Sequence, residues 1–114
     1  ILLVADNSGI HFLKLNAQGL THTETLKQLG ENDALGSVLY LAVCGDYLFV
    51  SDTEHQRLLV FALPNRELVA TLGKKDTPGK QKLLNKPSLL SVQGNFIALY
   101  DEGNGRILKI YFQP

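Results

Sequence analysis

Tryptophan and methionine are absent from this 114-residue chain, and cysteine occurs once. With a single thiol, Cys44, no internal disulfide can form, and a fold without one suits a reducing, intracellular compartment. Cys44 closes the apolar run VLYLAVC, so it reads as a small buried residue rather than a reactive thiol. An excess of either charge is missing too. Lys+Arg 11 and Asp+Glu 11 give a net charge of zero, which excludes a whole-molecule grip on nucleic acid or an acidic membrane. No apolar run approaches the roughly 20 residues of a membrane-spanning helix, and no basic-then-apolar signal segment opens the chain. An apolar run is already under way at Ile1 without an initiator methionine, as expected of a fragment or a processed product. Familiar catalytic signatures are absent: no Gly-x-Ser-x-Gly, no phosphate-binding Walker loop and no Cys–His pairing. The histidines His11, His22 and His55 do not fall at metal-ligand spacing. Neither a metal nor a cofactor is expected.

What is present is a repeat. Apolar residues make up 45% of the chain and charged residues 19%, ordinary for one globular domain. Three segments align: LLVADNSGIHFLKL from Leu2, LFVSDTEHQRLLVF from Leu48 and IALYDEGNGRILKIY from Ile97. Each has an apolar run ending in Asp, a polar turn and a second apolar run. The aspartates Asp6, Asp52 and Asp101 are separated by 52−6=46 and 101−52=49 residues. Units of short strands at this period are what one blade of a β-propeller requires.

Taken in order, Ile1 to Ala5, Ile10 to Leu15 and Leu20 to Leu26 read as three strands, with Thr21, Thr23 and Thr25 on one half-exposed face. Gln28 to Gly36 reads as a polar linker. Val38 to Val43 is apolar throughout and is expected to be buried on both faces. Tyr47–Ser51, Arg57–Ala62 and Glu67–Leu72 complete a four-strand unit, with Pro64 and Asn65 in its last turn. After the long connection from Gly73 to Pro87 come Ser88–Val92, expected to be the shorter inner strand, then Asn95–Tyr100 and Arg106–Phe112.

The second and third turns share a finer pattern. Asp is followed five residues later by Arg and then Leu or Ile: Asp52, Arg57, Leu58 and Asp101, Arg106, Ile107. With Val50 in one copy and Asn104 in the other, this resembles the NHL repeat and its V-x-D-x-x-N-x-R-I-like motif. His55 takes the Asn place in the second copy, and the first copy keeps Val4 and Asp6 but lacks the Arg. The WD-repeat family fits less well, because no Trp-Asp pair exists. The resemblance implies an all-β, partial NHL-like β-propeller over residues 1–114, in blade parts 1–36, 37–87 and 88–114. Lettering the strands of a blade from the inside out, the order is B-C-D, A-B-C-D, A-B-C. A closed propeller needs at least four blades, so the remaining blades are expected from the parent chain, a second fragment or further copies.

In that arrangement the turns at Asp6, Asp52–Arg57 and Asp101–Arg106 share one face with the linkers 31–36 and 73–87. The structural reading of the turn residues Asp6, Asp52, Arg57, Asp101, Asn104 and Arg106 is that each Asp accepts backbone N–H bonds. Each Arg then closes a partly buried bidentate pair. Asp101 and Glu102, neighbours in a turn, read as solvated. The candidate partner-facing loop carries Lys74, Lys75, Lys80, Lys82 and Lys86, with His55 nearby. Seven cations on this face meet eight anions, and Tyr100 is the one aromatic near it for base stacking, so an RNA partner is weakly supported. The leading expectation is a non-enzymatic scaffold for a protein partner, with no membrane. The resemblance also implies two alternatives: an RNA-binding NHL domain, or part of a lyase-like propeller enzyme whose missing blades complete a central metal site.

Overall fold

The computed structural model describes residues 1–73 and 83–114. Among them the protein is all-β, with twelve strands and one 3-10 turn at Glu102–Asn104. Three antiparallel meanders follow one another along the chain. Sheet 1 contains β1 (Leu2–Asp6), β2 (Gly9–Asn16) and β3 (Gly19–Leu26). A two-stranded hairpin of β4 (Gln28–Gly30) and β5 (Asp33–Ala34) leads to sheet 2: β6 (Leu39–Cys44), β7 (Tyr47–Asp52), β8 (Arg57–Ala62) and β9 (Glu67–Gly73). Sheet 3 contains β10 (Pro87–Gln93), β11 (Phe96–Asp101) and β12 (Arg106–Tyr111).

Period-two patterning decides which way each sheet faces. In sheet 1, Leu3, Ala5, Ile10 and Phe12 turn towards Leu48, Val50, Leu59 and Phe61 of sheet 2. On the reverse side of sheet 2, Phe49, Leu58 and Val60 meet Ile97 and Leu99 of sheet 3. Sheet 2 is therefore covered on both faces, and sheets 1 and 3 on one each. That is why β7 and β8 read as nearly unbroken apolar runs, whereas β11 alternates strictly between exposed and buried. The first strands of the sheets lie close together, β6 against both β1 and β10. Towards their later strands, sheets 2 and 3 part around a cleft of about 150 Å³ lined by Val60, Ala70, Leu72, Ile110 and Phe112.

Several sequence expectations need correction. The apolar run at β6 is only half buried, and Val38 and Val43 are exposed. Both of its faces do carry core residues, Leu39 and Leu41 on one side and Ala42 and Cys44 on the other. Among the described residues it is an edge strand, however, paired to β7 alone. Cys44 is half buried for the same reason, with its Sγ 3.7 Å from the Gly94 carbonyl. The linker 28–36 is not irregular. Asn32 adopts φ 62°, a left-handed conformation Asn tolerates, and turns the chain between β4 and β5. Strand β10 is longer than β6, because Pro87 can occupy a first strand position and a register shift follows it. In β3 the threonines do not share one face. A bulge opposite Phe12 and Leu13 breaks the alternation, and Thr23 Oγ1 donates to the Phe12 carbonyl at 3.1 Å.

Candidate functional site

The three Asp turns lie at one end of the stack, and side chains bind the second and third to the described residues that lead into their sheets, 33–36 and 83–85. The second turn is the most enclosed. Asp52 is fully buried where β7 ends, and its carboxylate accepts the Gly36 N–H at 3.2 Å, His55 Nδ1 at 3.0 Å and Arg57 Nε at 3.0 Å. The Arg57 guanidinium then spreads its remaining donors. Nη1 reaches Asp33 at 3.0 Å and Nη2 the Ala34 carbonyl at 3.2 Å. The expected bidentate Asp–Arg pair is thus not formed. One guanidinium is shared between two carboxylates and a main-chain carbonyl, because the hairpin β4–β5 brings Asp33 and Ala34 within reach.

The third turn repeats this bonding. Asp101 accepts the Asn85 N–H at 2.7 Å, Asn104 Nδ2 at 2.7 Å and Arg106 Nε at 2.9 Å, and Arg106 Nη2 donates to the Leu83 carbonyl at 2.9 Å. The sequence separations are the same in both turns: 16 residues back for the N–H, three and five forward for the side chains, and 23 back from Arg to the carbonyl. His55 does in the second turn what Asn104 does in the third. Asp101 is buried, not solvated, whereas Glu102 beside it is exposed. Burial pushes the Asp101 carboxyl up, but the Asn85 N–H, Asn104 and Arg106 outweigh it and hold the pKa below the ordinary value.

The first turn is built differently. The Asp6 carboxylate accepts the Ser8 N–H at 2.8 Å, Ser8 Oγ at 2.6 Å and His11 Nε2 at 2.9 Å. The Ser8 hydroxyl, then His11, lower its pKa to about 2. His11 takes the place five residues on that Arg holds elsewhere. Its other nitrogen lies 3.0 Å from Thr25 Oγ1, which also contacts His22 Nε2 at 2.9 Å. His55 is therefore not the only histidine at this end of the molecule.

The sheets are also tied across this end. Lys86 N donates to Gln56 Oε1 at 2.7 Å, and Thr53 Oγ1 donates to the Pro87 carbonyl at 2.7 Å. Glu54 accepts both the hydroxyl and the N–H of Ser37, which lower its pKa. Of the candidate loop, Lys86 is exposed with φ 53°, and Lys74, Lys75, Lys80 and Lys82 lie outside the described residues.

Sequence reasoning missed the upstream half of each clamp: Gly36, Ala34 and Asp33 in one, Asn85 and Leu83 in the other. A signal was available. Leu35 and Leu84 stand at the same distance before their aspartates, 52−35=17 and 101−84=17, and both pack into a core. Among the described residues, no group of three His, Cys, Asp or Glu side chains is placed to hold a metal ion. In comparisons with known proteins, no family model matches the chain and no curated protein matches it.

Proposed function

We propose that the chain is a segment of an NHL-type β-propeller serving as a non-enzymatic protein-interaction scaffold, with the turn-bearing end as its binding surface. The observation that carries this reading is the pair of Asp–Arg clamps with identical spacing. Each joins a β-β turn to the linker entering its own sheet. Sheets 2 and 3, which part away from close-packed first strands, are consistent with blades arranged about an axis, and further blades would complete the ring.

A protein partner suits this end better than RNA. Its described surface exposes Asp6, Glu31, Glu54 and Glu102 beside Lys86 and Arg106, and carboxylates spread among the cations repel a phosphate backbone. The test presents the chain with a displayed random-peptide library and with a fluorescent single-stranded RNA pool at low salt. Selected peptides are expected to lose at least about tenfold in affinity, roughly 1.4 kcal/mol, against a Glu54→Ala, Lys86→Ala double variant, while RNA stays unbound. Tight RNA binding that falls steeply with salt would overturn the reading in favour of the RNA-binding alternative.

A further inference from the structure

The stacking of the sheets has a direction, which appears when residues are counted back from each motif aspartate. Residues one and three places before it form one face of a sheet, and residues two and four places before it form the other. At the first interface, Leu3 and Ala5 of sheet 1 (odd places) meet Leu48 and Val50 of sheet 2 (even places). At the second, Phe49 of sheet 2 (odd) meets Ile97 and Leu99 of sheet 3 (even). Both interfaces therefore join an odd face to the even face of the next sheet.

Among the described residues two faces remain unused, one of each kind. Sheet 1 presents its even face, with Leu2, Val4, Leu15 and Leu20 exposed. Sheet 3 presents its odd face, with Phe96 and Tyr111 exposed and with Leu89, Tyr100 and Ile107 lining an almost wholly apolar cleft of about 360 Å³. Ile107 is 75% exposed, whereas its counterpart Leu58 in sheet 2 is 2% exposed. Apolar patches of this kind mark interaction surfaces.

The motif aspartates report the vacancy on sheet 1. Asp52 and Asp101, whose sheets have a neighbour on the even face, are fully buried, but the Asp6 side chain is 52% exposed. Lys109 sits over the Phe96 ring on the open face of sheet 3.

We infer that sheet 3 of one copy of this chain docks on sheet 1 of a second copy, head to tail, repeating the odd-on-even interface used twice inside the molecule. The occupant is named by the surfaces themselves, since each open face is the kind that the opposite end of the chain supplies. Such a contact is heterologous and continues until it closes into a ring or grows as a filament. This inference rests on the propeller-segment reading for its assumption that successive sheets keep one order.

Complementing variants test it. Val4→Glu spoils only the face of sheet 1, and Ile107→Glu only that of sheet 3. By light scattering on a size-exclusion column, the unmodified chain is expected to be multimeric and each variant monomeric. The two variants mixed should give a dimer of one copy of each. If either variant fails to unfold cooperatively like the parent, Leu15→Glu and Leu89→Glu take their places. A monomeric parent chain, a single variant that still dimerises, or a mixture that stays monomeric would overturn the head-to-tail contact. Those outcomes leave the peptide and RNA experiment above untouched, so the two ideas fail separately. If the contact holds, a mass that plateaus with concentration supports the curvature of a propeller. A mass that keeps rising argues for an open stack and against it.

Discussion

The second and third turns share a bonding pattern residue for residue and differ in what surrounds them. In the second, Arg57 is buried and holds Asp33 as well as Asp52. In the third, Arg106 makes the equivalent bonds to Asp101 and to a linker carbonyl, but half of its side chain faces solvent. The geometry of the clamp is thus set locally, by spacing along the chain. Its energetic weight is set by neighbours, because an ion pair gains strength, and its breakage becomes costly, only where water is excluded.

That difference can be broken most severely at Arg57. Arg57→Ala strands the buried Asp52 carboxylate and leaves Asp33 without its guanidinium partner, so a loss of about 3–5 kcal/mol is expected in denaturant unfolding. Arg106→Ala removes the bonds to Asp101 and the Leu83 carbonyl from a side chain that water already reaches, and a loss of about 0.5–1.5 kcal/mol is expected. Equal losses would refute the role assigned to burial.

Acid acts on the same turns. The carboxyls of Asp101, Asp6 and Glu54 are all held below their ordinary pKa, so each favours the folded state when ionised. Their contribution is complete above the unfolded carboxylate range near pH 4 and is lost as pH falls through the folded values. The unfolding midpoint should therefore drop between about pH 4 and pH 2, and Asp101→Asn should flatten that drop. The smallest effect is expected from His55→Asn, which gives the second turn the side chain used by the third. Stability should change by no more than about 0.5 kcal/mol.

The strands were legible because their patterning is local. Apolar runs ending in Asp, followed by polar turns, place β1, β2, β7, β8, β11 and β12 to within a residue or two. The Asp–Arg spacing also marked the turns that matter. Depth of burial was less legible. The run at β6 is as apolar as that of β7, and composition alone does not tell an edge strand from a central one. The bulge at Thr23 leaves no mark in the alternation of Thr21, Thr23 and Thr25, since it arises from pairing with β2. Asp33 and Gly36 looked like linker residues because their importance comes from partners 24 and 16 residues away. Asp101 looked solvated for a related reason: its neighbour Glu102 is solvated, and the N–H that keeps it buried comes from Asn85.

The odd-on-even order of the sheets has a consequence for how such a protein can change length over generations. Every junction joins the same two kinds of face, so a duplicated unit of the repeat can enter between two existing sheets without needing a new kind of surface. A unit can be lost on the same terms. A shift of one residue in a strand has no such freedom, because it exchanges the two faces and mismatches both junctions at once. The gene is therefore expected to tolerate change in whole repeats far better than single-residue insertions within β7 or β8.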